Sequence, residues 1–375
     1  MKKMLKILGI IILIPVVIIV LVIIIGLLFL RFYPSVGQHP SDAEKESYES
    51  KTTYYHDDAF HNEHESSLMS GESYPADARR VPNRMIEAEE PELLPAPSDE
   101  DLTYTWLGHS SFLIQAGSKN ILVDPVLSMR SSPVGFAGPK RFSEIPISTE
   151  EMPDIDILLI SHDHYDHLDY QTILELKGKV SHFVVPLGVD TILKGWGVEA
   201  ERIIPMSWWE ETEIDGITVT MTPSQHFTGR DPLMRNSTLW GGYYIDNGYH
   251  KIYYTGDGGY CDVFSQVKEK LGAPEIMIAE CGQYDPSWAT VHMFPEETVQ
   301  AYFDAGAEYL IPVHWGTFCI CNHAWDDSII RATNEAAGTG AVIITPRIGQ
   351  TVNSSDITSF TEKWWEEYND AKISG

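Results

Sequence analysis

The chain begins with one long apolar run and continues, after a polar stretch, as short apolar runs separated by turns. From Ile7 to Leu30 no charged residue interrupts a sequence made almost wholly of Ile, Leu and Val. A helix rises about 1.5 Å per residue, so this run crosses a hydrocarbon core of roughly 30 Å. Pro15 lies inside it, which lipid-embedded helices tolerate. No Ala-x-Ala-like site follows Leu30, so an uncleaved anchor is expected rather than a removed signal peptide. Lys2, Lys3 and Lys6 precede the span and only Arg31 stands close behind it. The positive-inside tendency then gives a single-pass protein of the cell membrane with its main domain outside the cytoplasm.

Residues 31–100 are rich in Ser, Glu, Asp, Pro and His and read as an acidic tether after the short basic N-terminus 1–6 and the anchor 7–30. Within it "YYHDDAFHN" and "SLMSGESY" carry enough aromatic and apolar residues to pack partly on the main domain. From residue 101 to 375 strand patterns dominate. "LTYTWLG", "SSFLIQAG" and "NILVDPVL" predict successive antiparallel strands, and "IDILLIS", "HFVVP", "GITVTMTP", "GGYYIDNG", "HKIYYTGDGG" and "EYLIPVH" predict more. Helical patterns fall at Tyr170 to Leu176, Asp262 to Leu271, Pro295 to Ala305 and Ala324 to Ala337. Two sheets face to face with helices outside follow: the α/β (α+β) class, as a four-layer αββα sandwich.

Composition restricts function. The 375 residues are 43% hydrophobic with ten tryptophans, enough for a sizeable core. A formal net charge of −28 repels nucleic acid, so no nucleic-acid partner is expected. Cys261, Cys281, Cys319 and Cys321 do not form a disulfide framework, and each is expected as a free buried thiol. No motif specifies an oligomeric state.

The chemistry concentrates in "LLISHDHYDHLD", where a buried strand runs into His162, His164, Asp166 and His167. If the strand continues, His162 and His164 project on one side, and the turn brings Asp166 and His167 to a neighbouring point. Imidazole with carboxylate suits zinc, manganese or iron, and two cations there offset the repulsion between carboxylates. His226, Asp257 and His314 each follow an apolar β-run, so the sheets can deliver all three to the same edge. His56, His61 and His64 sit where no strand or helix aims their rings and are not expected to bind metal.

The phrases "TWLGHSSFLIQ", "ILVDPVLS", "SHDHYDHLD", "TPSQHFTGR", "LWGGYYI", "YYTGDGGY", "VHMFPEETV" and "PVHWGTF" follow in order across about residues 101 to 320. In them the chain resembles the metallo-β-lactamase fold hydrolases, and among these the N-acylphosphatidylethanolamine-hydrolysing phospholipase D group and its bacterial relatives. The resemblance implies one metal on His162, His164 and His226, a second on Asp166, His167 and His314, and Asp257 bridging both. It implies a hydroxide between the metals as nucleophile, and catalytic roles for Asp166 and for His292, which orients substrate or donates a proton. His109, at a strand turn in "GHSS", is expected to support the ligands or the substrate. Two zinc ions, or manganese or iron in their place, are the implied cofactors.

The expected function is a membrane-anchored phosphodiesterase of phospholipase D type acting on a membrane lipid. A lactonase or other ester or amide hydrolase of the same fold is the alternative, and a non-enzymatic anchored protein fits the full ligand set poorly. "GTFCICNHAWD" departs from the family pattern, and Cys319 and Cys321 acquire no role from the sequence.

Overall fold

A computed structural model describes residues 2–66, 71–93, 98 and 100–368. Helix α1 spans Lys2–Phe32. Its stretch Ile12–Phe32 has a mean hydropathy of 3.6 and none of it is buried, so it is long and apolar enough to cross a membrane. Polar side chains organise the segment that follows. Helix α2 (Asp42–Lys51) starts at a capping box in which the Ser41 hydroxyl accepts from the Glu44 N–H and the Glu44 carboxylate accepts from the Ser41 N–H. Strands β1 (Tyr55–His56) and β2 (Ala59–Phe60) then form a small hairpin that buries Tyr55 and Phe60. In "SLMSGESY" residues 67 to 70 lie outside the described residues, whereas Ser73 and the Tyr74 N–H both donate to Asp285.

The first sheet contains β3 (Leu102–Gly108), β4 (Ser111–Ala116), β5 (Lys119–Val123), β6 (Ile155–Leu159), β7 (Val180–Pro186) and β8 (Ile203–Met206). Helices α3 (Tyr170–Leu176) and α4 (Val189–Gly195) cover its outer face. The second sheet contains β9 (Glu211–Ile214), β10 (Ile217–Thr222), β11 (Gly242–Asp246), β12 (Lys251–Tyr254), β13 (Ile276–Glu280) and β14 (Tyr309–Val313). Its outer helices are α5 (Val263–Leu271), α6 (Pro295–Ala305) and α7 (Asp327–Thr339). Strand β15 (Thr351–Asn353) returns to pair with β3 and closes the first sheet in the order β15-β3-β4-β5-β6-β7-β8. The second sheet runs β14-β13-β12-β11-β10-β9.

Period-two alternation fixes the layers, because successive side chains of a strand face opposite sides. Phe112 and Ile114, Ile157 and Leu159, Tyr243 and Ile245, and Ile276 and Ile278 enter the core between the sheets. Their neighbours Leu113 and Leu158 pack under α3 and α4, while Tyr244, Met277 and Ala279 pack under α5 to α7. The expected αββα sandwich is therefore present, and β3 to β5 are antiparallel as their short turns require. Strands β5 to β8 and β12 to β14 run parallel, so their C-terminal ends gather at common edges.

Some expectations need correction. Helix α7 begins three residues later than the pattern suggests, since Asp326 and Asp327 make its first turn polar. Of the four free cysteines Cys281 and Cys321 are buried, but Cys261 and Cys319 are only half-buried. The final turn, Trp364 to Tyr368, is core: Trp364 stacks 5.2 Å from Trp315, which in turn lies 5.2 Å from Trp106. Trp364→Ala removes a fully buried indole from this stack and is expected to lower unfolding stability by about 3–5 kcal/mol. Guanidinium titration of the detergent-solubilised chain, followed by circular dichroism, measures the loss.

Candidate metal centre

Each candidate side chain leaves the end of a strand or the loop behind it. Ile160 and Ser161 extend β6 to His162, and the loop then turns through His164, Asp166 and His167 before Asp169 accepts from the Thr172 N–H at the start of α3. His226 follows β10, Asp257 follows β12 and His314 follows β14. Non-glycine residues at left-handed φ aim three side chains of this region: Asp124 (40°), His109 (53°) and His314 (70°). The backbone of Gly282 passes so close to His314 that a Cβ there would lie 1.5 Å from the His314 carbonyl oxygen.

All seven expected ligands come together. His162 Nε2 is 2.8 Å from His164 Nδ1, and His226 Nε2 is 3.3 Å from the same atom. Asp257 Oδ2 lies 3.1 Å from His167 Nε2 and 3.2 Å from His314 Nε2. Asp166 Oδ2 lies 3.3 Å from His314 Nε2 and 3.0 Å from His109 Nε2. Donor atoms of His162, His164 and His226 fall within 4.8 Å of one another, as do those of His109, Asp166, His167 and His314. His292 puts a ring nitrogen within 4.8 Å of donor atoms of His226 and Asp257. His56 and His61 stack on each other at 3.8 Å, while His64 turns away to Asp262, so these three do not converge.

The cluster fits metal binding on its own chemistry. Asp257 Oδ1 is buried and has no hydrogen-bond partner, which is costly unless a cation lies there. The imidazoles are oriented from behind: Nδ1 of His226 donates to the Val291 carbonyl at 2.9 Å, Nδ1 of His167 to Asp124 at 2.8 Å, and Nδ1 of His314 to Glu280 at 3.2 Å. With Nδ1 donating, each Nε2 keeps its lone pair for a metal. Burial, reinforced by neighbouring imidazoles, holds His162 and His226 well below the usual imidazole range and therefore neutral. Burial and His314 push His109 down to about 4. Burial opposes ionisation of Asp166 and Asp257, yet the surrounding histidines outweigh it and keep both carboxyls well below their usual range. Burial likewise disfavours a charged His314, but Asp257, Asp166 and Glu280 prevail and raise it to about 9. The pocket's net preference is thus for positive charge held by carboxylates.

A family model described as the beta-lactamase superfamily domain matches residues 119–315. The chain belongs to the metallo-β-lactamase superfamily. It is an enzyme, a metal-dependent hydrolase whose His/Asp cluster is capable of holding metal. An uncharacterised protein of Mycobacterium tuberculosis is 37% identical over 268 residues, covering 70% of this chain and 72% of that protein. The N-acyl-phosphatidylethanolamine-hydrolyzing phospholipase D 1 of Caenorhabditis elegans is 36% identical over 234 residues, covering 59% of this chain and 65% of that enzyme. Among solved structures, Igni18, a metallo hydrolase of Ignicoccus hospitalis, aligns with a TM-score of 0.52 at 21% identity over 68% of this chain and 98% of its own, a likeness of fold.

In this superfamily member three supporting residues escaped the sequence reading. Asp124, fully buried behind β5, accepts from the Ser161 N–H at 2.7 Å, from the Tyr254 hydroxyl at 2.7 Å and from His167. Glu280, at the end of β13, faces both His314 and His292 and accepts from the Met293 N–H at 2.6 Å. A lone acid closing an apolar run, "ILVD" or "IMIAE", was the available signal for both. Asn62 had none: its amide brackets the His226 backbone, accepting from N–H at 3.1 Å and donating to C=O at 2.8 Å, from 164 residues away.

Glu280→Gln keeps an acceptor for Met293 but removes the charge facing His314, and is expected to weaken metal binding roughly 10- to 100-fold. Competition with a graded chelator measures it. Asn62→Ala is expected to loosen the His226 loop and weaken metal binding about tenfold. The same titration measures it, and unchanged binding would refute a supporting role for Asn62 behind His226.

Proposed function

We propose that the chain is a membrane-anchored phosphodiesterase of phospholipase D type, acting on N-acylphosphatidylethanolamine-like or other glycerophospholipids. The observation that carries this reading is the cavity over the ligand cluster. It encloses about 280 Å³, with His164, Asp166, Asp257 and His314 on its floor and Tyr165, Phe227, Trp288, Pro139 and Ile320 in its walls. A polar floor under apolar walls suits an amphiphile whose charged phosphodiester carries hydrocarbon. The similarity to a phospholipase D acting on that lipid class supports the same choice. The apolar stretch of helix α1, with Lys2, Lys3 and Lys6 at the N-terminal end of the helix, supports a cell-membrane anchor with the domain outside the cytoplasm.

In this reading His162, His164 and His226 would hold one divalent metal and Asp166, His167 and His314 a second, with the Asp257 carboxylate available to both. Zinc suits the imidazole-rich set, and manganese or iron suits it as well. Bound there, the metals supply positive charge for the phosphate oxygens and a water of lowered pKa. The chain does the rest. A water oxygen adds to phosphorus as one of its protons passes to solvent, the P–O bond to the N-acylethanolamine breaks, phosphatidic acid remains, and the departing alkoxide takes a proton. His292 is placed to give that proton: it faces the cavity, its ring lies parallel to His314 at 5.4 Å, and Glu280, 3.4 Å from its Nδ1, fixes its orientation. Asp166 acts from the floor, where His109 holds its carboxylate in place. Phe227 and Trp288 exclude water from the face that receives the lipid.

The test is to purify the full chain in detergent, count metals by mass spectrometry, and assay N-acylphosphatidylethanolamine micelles beside lactones and bis-nitrophenyl phosphate. Two metals per chain and phosphodiester cleavage are expected, with His162→Ala lowering turnover at least ~100-fold. Lactone turnover without phosphodiester cleavage would replace the proposal with the ester-hydrolase alternative.

A further inference from the structure

Two loops form the rim of the cavity. Residues 128–141 supply Ser131 and Pro139, and residues 227–236 supply Phe227. The chain leaving α1 is fastened to both within a few residues. The Ser35 hydroxyl donates to the Pro133 carbonyl at 2.7 Å, Arg230 Nε donates to the Ser35 carbonyl at 2.7 Å, and Trp196 Nε1 donates to the Pro34 carbonyl at 2.7 Å. His39 then pairs with Asp231 at 3.1 Å. From Phe32, the last residue of the apolar helix, to Ser35 the chain can reach at most about 10 Å. The headgroup layer on each side of a bilayer is itself roughly 5–7 Å thick. A span that ends at Phe32 therefore sets Ser35, and with it Pro133 and Arg230 of the two rim loops, at headgroup level.

The side chains there match that depth. Phe136 is 83% exposed, Leu233 64% and Met129 44%, the first and last in one rim loop and the second in the other. Charge follows suit. In a protein of net charge −28 these loops contain Arg130, Lys140, Arg141, Arg230 and Arg235 against one acid, Asp231. Arg141 and Arg230 are buried, and so is Asp231 beside His39, whereas Lys140 and Arg235 are exposed and Arg130 is partly so. The fully exposed side chains of these loops are thus cationic or apolar, with Ser128, Ser132 and Asn236 partly exposed beside them, a combination that binds an anionic phospholipid surface.

We infer that the cavity rim docks on the same leaflet that α1 enters, with Phe136 and Leu233 at the boundary of headgroups and acyl chains and Arg130, Lys140 and Arg235 on phosphates, so that the cavity opens onto the bilayer. The inference rests on the reading of α1 as a membrane span and holds whichever lipid is the substrate. It deepens the proposed function by giving the direction from which a substrate arrives.

The full chain is placed in nanodiscs of phosphatidylcholine and phosphatidylglycerol, with half-buried Cys261 and Cys319 replaced by Ser. Phe136→Cys carries an environment-sensitive fluorophore, and Tyr249→Cys, in the turn before β12 at the opposite end of that strand from Asp257, is the control. Quenching by spin-labelled lipid at position 136 and not at 249 is expected. Quenching at 136 by aqueous iodide alone would show a rim facing water, and shielding from both quenchers would show a protein partner such as a second copy; either overturns the inference. In parallel, the double variant Phe136→Asp, Leu233→Asp is expected to lower turnover of bilayer phospholipid about tenfold or more, with a water-soluble diester unaffected. Lipid quenching without phospholipid turnover would leave the docking intact and remove the substrate reading; turnover without lipid quenching would do the reverse.

Discussion

The carboxylate of Asp257 is the point on which the rest of the structure depends. It is buried, with Nε2 of His167 and His314 at 3.1 and 3.2 Å and Nε2 of His162 at 3.8 Å. An unpaired carboxylate in such a place is costly, so the partners must arrive with fixed geometry. They come from two different sheets: Asp257 and His314 follow strands of the second, and His162 and His167 follow β6 of the first. The sandwich therefore has to bring the C-terminal ends of β6, β12 and β14 to one edge. The core between the sheets, from Phe112 and Leu159 to Tyr254 and Ile311, holds that alignment.

A matched pair of acids stabilises the arrangement from behind. Asp124 follows a parallel strand of the first sheet and holds His167; Glu280 closes a parallel strand of the second and holds His314. Left-handed backbone at Asp124, His109 and His314 costs on the order of 1–3 kcal/mol each. Such strain persists only where contacts over-determine the conformation. Here the His314 N–H donates to the His109 carbonyl at 3.0 Å, Trp106 Nε1 donates to that same carbonyl at 2.8 Å, and the indoles of Trp315 and Trp364 pack behind.

The sequence was legible where the physics is local. A buried strand running into His162, His164, Asp166 and His167 announces its chemistry within a dozen residues, and the period-two runs of β3 to β6 and β10 to β12 announce two-faced strands. Short or edge elements leave little trace: β8, β9 and β15 are three or four residues long, and α4 is a seven-residue helix whose apolar pattern is broken by Asp190, Thr191 and Lys194. Strand β13 hides because both its faces are buried and its run ends in an acid. The supporting residues were hidden for a different reason. Asn62 and Glu280 act through partners that only the folded chain brings near, and no spacing rule records a contact 164 residues away.

The polar stretch behind helix α1 shows how far composition can understate order. Its few apolar residues suggest a spacer, yet its polar groups are spent on the domain rather than on water. The Ser35 carbonyl accepts from Arg230, Asn62 brackets His226, Ser73 donates to Asp285, and Arg80 donates to the Cys321 carbonyl. The residues contacted lie within three positions of Phe227, Gln283 or Ile320, which line one cavity. A segment so fastened cannot act as a loose tether, because swivelling the domain would break contacts to His226 and Arg230 together. The geometry between helix α1 and the cavity is consequently part of the fold.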